Sequence, residues 1–328
     1  MILDFPSTKL SKELAEKYGY DEFLIRRWVG LFGREAKDLA EGMERVPKYL
    51  RVNTIKIGER ELINRMERRG FRLKNTEIPY CYELISEPFS AGSTPEYLMG
   101  YYYLMDKSSC VPPLALAEEF EFFNNPLIVD FASSPGGKVT MISQLMKERN
   151  VRGKILALEA QKDRLPALID NIHRMGVKNV AVLHMDARNF PKYGVKADLL
   201  LLDAPCTGEG IIHKDESRKK SRGRKDIEFC SRLQKELLSS AVKSVKAGGI
   251  IVYSTCSIAP EENELVVQWA LDNFSLEIEK IKIPGEKGLT EFGGIKVDER
   301  LKLAKRYYPH RNRCSGFFVA KLRVVKSY

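Results

Sequence analysis

Two cysteines sit where chemistry is expected, in Asp203-Ala204-Pro205-Cys206 and Ser254-Thr255-Cys256-Ser257, each directly after an apolar run and downstream of a glycine turn between Asp130 and Thr140. A thiolate is a strong nucleophile once its pKa falls, and a nearby basic group or helix N-terminus lowers it. Attack by such a thiolate at C6 of a pyrimidine makes C5 electron-rich and able to accept a methyl group. A second thiol, or an aspartate at ring N3, assists this chemistry or its reversal. Taken singly, strand-end cysteines also serve as small buried hydrophobes. Here Pro205 and Thr255 stand where the chain turns out of the sheet toward a pocket.

The elements that must position these thiols follow from the apolar pattern beyond residue 110. Leu127 to Phe131, Lys154 to Glu159, Asn179 to His184, Asp198 to Asp203 and Gly249 to Ser254 read as five short strands. Val139 to Glu148, Lys162 to Met175 and Leu233 to Val245 read as helices between several of them, which predicts a parallel, doubly wound sheet. Ser275 to Ile283 and Gly316 to Leu322 offer two more strands. Ligands of such sheets lie beyond the carboxyl ends of the strands, and every motif singled out follows a strand end.

Before residue 110 the chain changes character. Glu13 to Phe32 and Arg34 to Arg45 read as charged helices, Tyr49 to Ile57 as a strand, Glu59 to Arg69 as a helix, and Phe71 to Ile85 as two strands. Basic residues of this small module, among them Arg26, Arg27, Arg45, Lys48, Arg51, Arg65, Arg68 and Arg69, suit either a phosphate backbone or an ordinary solvated face.

In the loop Asp130-Phe131-Ala132-Ser133-Ser134-Pro135-Gly136-Gly137-Lys138, glycines between a strand and a helix let the backbone approach a ligand, and the helix amides attract negative charge. The spacing is neither the dinucleotide GxGxxG nor a phosphate-binding GxxxxGK[ST]. Glu159, ending the second strand, is placed to accept hydrogen bonds from two ribose hydroxyls or is a plain surface glutamate. Asp186 either caps the segment from Ala187 or receives an adenine amino group.

Composition narrows the partners. The 328 residues carry 54 Lys plus Arg against 44 Asp plus Glu, a net charge of +10 that favours an anionic partner. The other four cysteines, Cys81, Cys110, Cys230 and Cys314, form no CxxC pair and have no histidine at ligand spacing, against structural zinc and against a disulfide framework. The N-terminus shows no basic segment before an apolar run, and no stretch approaches the roughly 20 apolar residues of a membrane span. A soluble, cytoplasmic protein without metal or membrane partner is expected.

These segments resemble those of the RNA cytosine-5 methyltransferases that use S-adenosylmethionine. The resemblance implies an α/β, Rossmann-like class I methyltransferase fold with a mostly parallel seven-stranded sheet at residues 110–328, preceded at 1–109 by a helical segment and a small α/β RNA-recognition-like module. It implies that Ala132, Ser133, Ser134, Pro135, Gly136, Gly137 and Lys138 form the methionine end of the cofactor site, joined by Glu159 at the ribose, Asp186 on the adenine side, Arg164 and Asp203. Cys256 looks like the nucleophile, Cys206 like the cysteine that helps release product, and Asp203 and Lys138 like contacts to the target cytosine. The likeness extends to Arg51-Val52-Asn53, Pro309-His310 and Gly316-Phe317-Phe318. Phe131 and Ser133 depart from the family's cysteine and alanine, the segment after Met105 is a variant of its opening helix, and Asn312 to Ser315 lacks the acidic residue often found before Gly-Phe-Phe.

Between Lys214 and Lys225 seven basic residues accompany only Asp215 and Glu216, which predicts a mobile basic rim for phosphate contacts, against a merely solvated loop. His213 and His310 are candidate RNA contacts, and Tyr101 to Tyr103 and Tyr307-Tyr308 either stack on bases or pack between domains. The cytosine must be exposed in a loop or flipped out. With no evident appendage after Tyr328, transfer RNA is the expected substrate, ribosomal RNA the alternative, and a monomer the simplest assembly. A nicotinamide-dependent oxidoreductase would share the sheet and Glu159 but needs the GxGxxG turn that is absent, whereas a catalytically silent RNA-binding protein would leave Cys256 without a task.

Overall fold

A computed structural model gives the structure of residues 2–328; Met1, at the head of the expected N-terminal segment, lies outside the described residues. The smaller of its two main sheets is antiparallel and contains β1 (Tyr49–Val52), β2 (Arg72–Asn75), β3 (Cys81–Ser86) and β4 (Tyr102–Leu104) in the order β2-β3-β1-β4. The helix Glu59–Arg68 covers it, since Leu62 and Met66, four residues apart on one helical face, meet Leu50, Val52 and Tyr102.

The apolar runs beyond residue 110 build the larger sheet. It contains β5 (Leu127–Asp130), β6 (Lys154–Glu159), β7 (Val180–His184), β8 (Ala197–Asp203), β9 (Val245–Thr255) and β10 (Leu276–Glu279). After these come β11 (Glu286–Lys287), a separate hairpin of β12 (Glu291–Phe292) and β13 (Ile295–Lys296), then β14 (Lys305–Tyr307) and β15 (Phe317–Val324), which return to the large sheet apart from the hairpin. The order is β11-β14-β15-β9-β8-β5-β6-β7, with β10 also on β15. Strands β5 to β9 are parallel and β15 runs against β9. The seven expected strands are β5 to β10 and β15; β11 and β14 are short additions, β14 sharing one edge of β15 with β10.

Both faces are covered, which explains the unbroken leucines of β8. Leu199 and Leu201 pack with Ile142, Leu145 and Leu168 from the helices Gly137–Glu148 and Leu165–Met175. Leu200 and Leu202 point the other way, to Leu238 and Val266 of the helices Arg224–Ser244 and Glu264–Asn273. The parallel register sets Asp203 beside Ser254 and Glu159 beside His184, so the motif-bearing loops leave from one edge. Among the described residues no helix is long and apolar enough to cross a membrane.

Several local expectations are revised. The segment expected as one helix from Glu13 to Phe32 is two helices, Lys9–Tyr18 and Glu22–Phe32, because Gly19 takes a left-handed conformation (φ 71°) and Asp21 caps the second by accepting from the Phe23 amide. The strand expected to reach Ile57 stops at Val52, where the Asn53 side chain donates to Gly100 O (2.7 Å) and Met175 O (2.8 Å) and turns the chain.

The basic residues of this region also divide. Arg27 is buried and pairs through both terminal nitrogens with Glu261 (2.9 and 2.6 Å). Arg51 is buried and donates to Gly137 O (2.6 Å) and Thr140 Oγ1 (3.1 Å). Neither reaches a phosphate, because a guanidinium taken out of water must spend its donors within the protein. Tyr102, Tyr307 and Tyr308 are buried and pack within the protein, while Tyr103, also buried, packs and at the same time lines a cavity beside Lys138. His310 bonds Glu35 (2.8 Å) and is likewise structural. The expected basic rim is largely tied down: Arg218 to Asp215, Lys219 to Glu44, Arg222 to Asp226 and Arg224 to Glu228.

Candidate active site

Cys206 and Cys256 follow the adjacent parallel strands β8 and β9, and their sulfurs lie 2.9 Å apart as free thiols in hydrogen-bond contact. In the stretch 250–260 every residue except Cys256 is buried, so the fold presents this side chain alone. The Cys206 thiol is pushed well above its ordinary pKa, first by the shared hydrogen bond with Cys256, then by burial, with the Glu262 carboxylate adding to both. Cys206 therefore holds its proton at neutral pH and can donate S–H to Cys256.

What fixes the two loops was not legible beforehand. Glu262, fully buried, accepts from the Thr207 amide (2.9 Å), the Thr207 hydroxyl (2.6 Å), the Ser257 hydroxyl (2.6 Å) and the Gln234 amide (3.0 Å). Thr207 and Ser257 each directly follow one of the cysteines, so a single carboxylate ties both loops. Gln234 also donates to Pro205 O (2.9 Å), and Asn263 holds Ser257 O (2.9 Å) and accepts from Thr255 Oγ1 (2.5 Å). The only sequence signal was the run Glu261-Glu262-Asn263-Glu264, which looks like a solvated helix start. Gly210 and Gly316 lie so close that a Cβ on Gly210 would meet Gly316 O at 2.0 Å, which accounts for the glycine of Gly316-Phe317-Phe318. The acid missing before that motif is supplied from elsewhere in the chain: Asp106 accepts from the Ser315 amide at 3.1 Å.

Beside the thiols, Lys138 Nζ lies 2.6 Å from Asp203 Oδ2, and Asp203 Oδ1 accepts from Ser254 Oγ at 2.7 Å. Burial alone would lower the Lys138 pKa, but Asp203, followed by Cys256 and Asp130, more than offsets it and the ammonium is held above its ordinary value. Lys138 and Asp203 line a cavity of about 220 Å³ together with Ala132 to Pro135, Gly137, Tyr103 and Lys214. His213 next to Lys214 is half buried, and burial followed by the Lys214 charge lowers its pKa to about 4, which leaves an uncharged ring at neutral pH.

The loop residues are held mainly by protein. Ser134 Oγ donates to Arg164 O (3.0 Å), Arg164 Nη2 donates back to Ser134 O (2.9 Å), and Asn171 Nδ2 donates to Pro135 O (2.9 Å). Gly136 has φ 106°, and a Cβ on Gly137 would meet the Tyr103 ring at 3.1 Å, so these glycines answer first to backbone conformation and packing. Arg164 also lies 3.7 Å from Glu159. Glu159 is buried at the end of β6, with Oε1 accepting from the Gln161 amide at 2.8 Å. Asp186 caps the following turn through the Arg188 amide (2.9 Å) and is clasped by the Arg188 guanidinium (2.7 Å), whose contact lowers its pKa. Asp130 is 1% exposed, one of its oxygens has no partner, and burial raises its pKa to about 7.

This donor and acceptor set fits S-adenosylmethionine: an unpartnered carboxylate oxygen at Asp130 for an ammonium, and a buried carboxylate at Glu159 for hydroxyls. Among the described residues no group of three or more His, Cys, Asp or Glu could hold a metal ion.

Comparison with known proteins places this geometry in context. The profile of the family described as 16S rRNA methyltransferase RsmB/F matches residues 118–323. A 28S rRNA (cytosine-C(5))-methyltransferase of Mus musculus is 40% identical over 96% of this chain and 40% of its own length. A tRNA (cytosine(72)-C(5))-methyltransferase of Pyrococcus horikoshii is 40% identical over 69% of this chain and 53% of its own. The chain thus spans about half the length, or less, of these curated relatives. The crystal structure of a methyltransferase homolog from Pyrococcus horikoshii superposes with a TM-score of 0.86 at 40% identity, covering 97% of this chain and all of that one.

Two substitutions test the site's electrostatics and geometry. Because folding raises the Asp130 pKa from an unfolded value near 4 to about 7, its stability contribution is whole below pH 4 and lost as pH rises through 7. Asp130→Asn is therefore expected to gain stability relative to wild type between pH 5 and pH 8, by about 3 kcal/mol, as read by denaturant titration at both values; an equal difference at the two pH values would refute the burial argument. Glu262→Gln places a donor among four donors, and a displacement of about 1 Å in either thiol is expected to slow thiol chemistry on a target base roughly 100-fold. Cofactor affinity should stay near wild type, and unchanged thiol chemistry would remove Glu262 from this role.

Proposed function

The chain belongs to the RsmB/F family of S-adenosylmethionine-dependent RNA (cytosine-5) methyltransferases, and we propose that it methylates C5 of a cytosine in ribosomal RNA through a covalent Cys256 adduct. The reading rests on one observation above all, two thiols in contact at the ends of β8 and β9 with the Lys138–Asp203 pair beside them. Ribosomal RNA takes precedence over the transfer RNA expected from chain length, because the rRNA-named mouse relative aligns across nearly the whole chain and the tRNA-named one across about two thirds.

In this mechanism the cytosine enters beside Lys138 and Asp203, with the Asp203 carboxyl group at ring N3 and the Lys138 ammonium balancing charge on the ring. Cys256 gives up its proton to solvent and, as the thiolate, forms its bond to C6, and the electron pair of the C5–C6 double bond moves toward C5. Residues 132–138, with Glu159 for the ribose and Asp186 for the adenine, would hold S-adenosylmethionine, which would supply an electrophilic methyl group for C5 and be left as S-adenosylhomocysteine. Cys206 keeps its proton during attack, since its pKa is raised chiefly by the neighbouring Cys256 sulfur. Once that sulfur is bonded to carbon it is a neutral thioether, the main cause of the elevated pKa disappears, and Cys206 can lose its proton to solvent. The Cys206 thiolate then takes the C5 proton, the C5–C6 double bond reforms, and Cys256 leaves as thiolate. Residues 110–328 supply this chemistry, and residues 1–109 orient the RNA over it.

Cys256→Ala is expected to abolish both methylation and covalent capture of RNA containing 5-fluorocytosine. Cys206→Ala should still attack, leaving protein attached to ordinary RNA on denaturing gels; full turnover in either variant would overturn the division of labour. Substrate class is read by transfer of labelled methyl to unmodified ribosomal and transfer RNA with nucleoside analysis. The expected product is 5-methylcytidine in ribosomal RNA. Methylation confined to transfer RNA would reverse the substrate choice, and transfer to neither, with cofactor bound, would defeat the proposal.

A further inference from the structure

On the edge of the large sheet opposite the cysteines lies a cleft of about 920 Å³. Its walls are the first residues of β5 and β6, the residues before β7, the end of the helix Gly137–Glu148, and Ile55 and Lys56 from beyond β1. Five lining residues are cations, Lys56, Lys147, Arg152, Lys154 and Lys178, and none is a carboxylate.

Two of these cations have structural work. Helices of a parallel sheet end on this edge, where carbonyls attract positive charge. Lys56 accordingly donates to Met99 O (2.8 Å) and Arg174 O (2.7 Å), and Lys147 to Ile55 O (3.1 Å). The other three are not explained in this way. Arg152, Lys154 and Lys178 are exposed, and no hydrogen bond or ion pair joins their side chains to any described residue. Some surface cations pair with acids, as Lys48 does with Glu87, Arg65 with Glu61 and Lys246 with Asp198, and others such as Lys282, Lys296 and Lys326 do not; what sets Arg152, Lys154 and Lys178 apart is that they share one cleft whose lining holds no carboxylate. Between the charges the cleft is lined by apolar side chains, with Ile55, Leu127 and Val151 half-buried and Pro126 and Met146 packed beneath them.

We infer that this cleft is a second RNA-contact surface, in which Arg152, Lys154 and Lys178 take successive phosphates of the substrate strand and the apolar floor takes a base or ribose face. A polyanion with flat apolar units matches a rim of unpartnered cations over an apolar floor better than an acidic peptide does, since the peptide has no flat face to fill it. The six residues of β6 separate the cleft from the catalytic edge by about 20 Å, so an RNA reaching both must wrap the side of the domain. A folded RNA can do so and a short oligonucleotide cannot, which makes the cleft a means of selecting long or folded substrates. The inference rests on the RNA methyltransferase reading.

The test uses the full chain, the triple variant Arg152→Gln/Lys154→Gln/Lys178→Gln, and a control with equal charge loss, Lys282→Gln/Lys296→Gln/Lys326→Gln. Binding of a long ribosomal RNA fragment is measured across salt concentrations, together with kcat and KM for that fragment and for a short oligonucleotide carrying the target cytosine. Three phosphate contacts predict a slope of log affinity on log salt that is shallower by about 2 to 3, with long-RNA affinity down roughly ten-fold at moderate salt. The variant's kcat, and its KM for the short oligonucleotide, should match wild type, and the control should keep the wild-type slope. If wild type methylates the fragment while the triple variant binds it with unchanged slope and affinity, as a surface for an acidic protein would, the inference falls and the enzyme reading stands. If wild type neither binds nor methylates RNA, both fall together.

Discussion

Four consecutive polar side chains, Glu261 to Glu264, are buried immediately after the strand that delivers Cys256, and much of the remaining structure is arranged to satisfy them. A buried carboxylate without partners costs several kcal/mol, so each must find donors or a cation. Glu261 takes the Arg27 guanidinium and the Leu3 amide, and so anchors the N-terminal helices. Glu264 takes Arg306 (2.6 Å) and the Leu289 amide (2.9 Å), and so anchors the segment between β10 and β14. Asn263 closes the turn around Ser257. Glu262 has four neutral donors and no cation, and its pKa is raised by burial against those hydrogen bonds. One short stretch thereby joins the chain's beginning, its C-terminal strands and both cysteine loops, and the geometry of the thiols is inherited from this network and not from the thiols themselves.

A second set of buried contacts fastens the small sheet to the loop at residues 132–138. Arg51 leaves β1 and binds the first turn of the helix Gly137–Glu148, and burial without a carboxylate lowers its pKa to about 10. Tyr103 from β4 packs on Gly137 and lies under the Arg51 guanidinium, 5.5 Å from the ring centre. Arg174 donates to Tyr97 O (2.7 Å) and Tyr102 O (3.3 Å) from the other side. The cavity beside Lys138 is therefore bounded by both sheets, with Tyr103 and Met105 lining it as well as Asp203. The N-terminal elements form a wall of the site and are not a detachable tether.

The strands of the large sheet were legible as short apolar runs, uninterrupted in the central β8 where both faces are buried, and the loops after them because Gly136-Gly137, Pro205 and the two cysteines are local features. Partnership was not legible. Arg27 and Arg51 look in sequence like every other cation and His310 like any other histidine, and only the fold shows that their partners stand hundreds or tens of residues away. The nine residues by which the helix Arg224–Ser244 precedes its expected start at Leu233 were hidden by their charge, since a basic amphipathic turn reads as loop when its acids, Asp226 and Glu228, are taken as solvated. The short β4, β11 and β14 carry too few residues for a period to register. Glu262 escaped for the opposite reason: its neighbours in sequence are polar, and nothing local marks a run of acids as buried.

Two chemically identical thiols in contact acquire different characters only if the field across them is uneven, and here it is. The Glu262 carboxylate acts on Cys206, raising its pKa. The Lys138 ammonium interacts with Cys256, which in part raises the ammonium's own pKa. The Cys256 contact, burial and the Glu262 charge together hold the proton on Cys206. Lys138 in turn is kept charged despite burial because Asp203 lies at 2.6 Å, so the polarity of the thiols depends on an ion pair built from a different strand end. The proposed assignment of nucleophile and base therefore draws on more than the Pro-Cys and Thr-Cys sequences. Its support is that the Glu262 carboxylate acts on Cys206 and the Lys138 ammonium on Cys256, across a 2.9 Å sulfur contact.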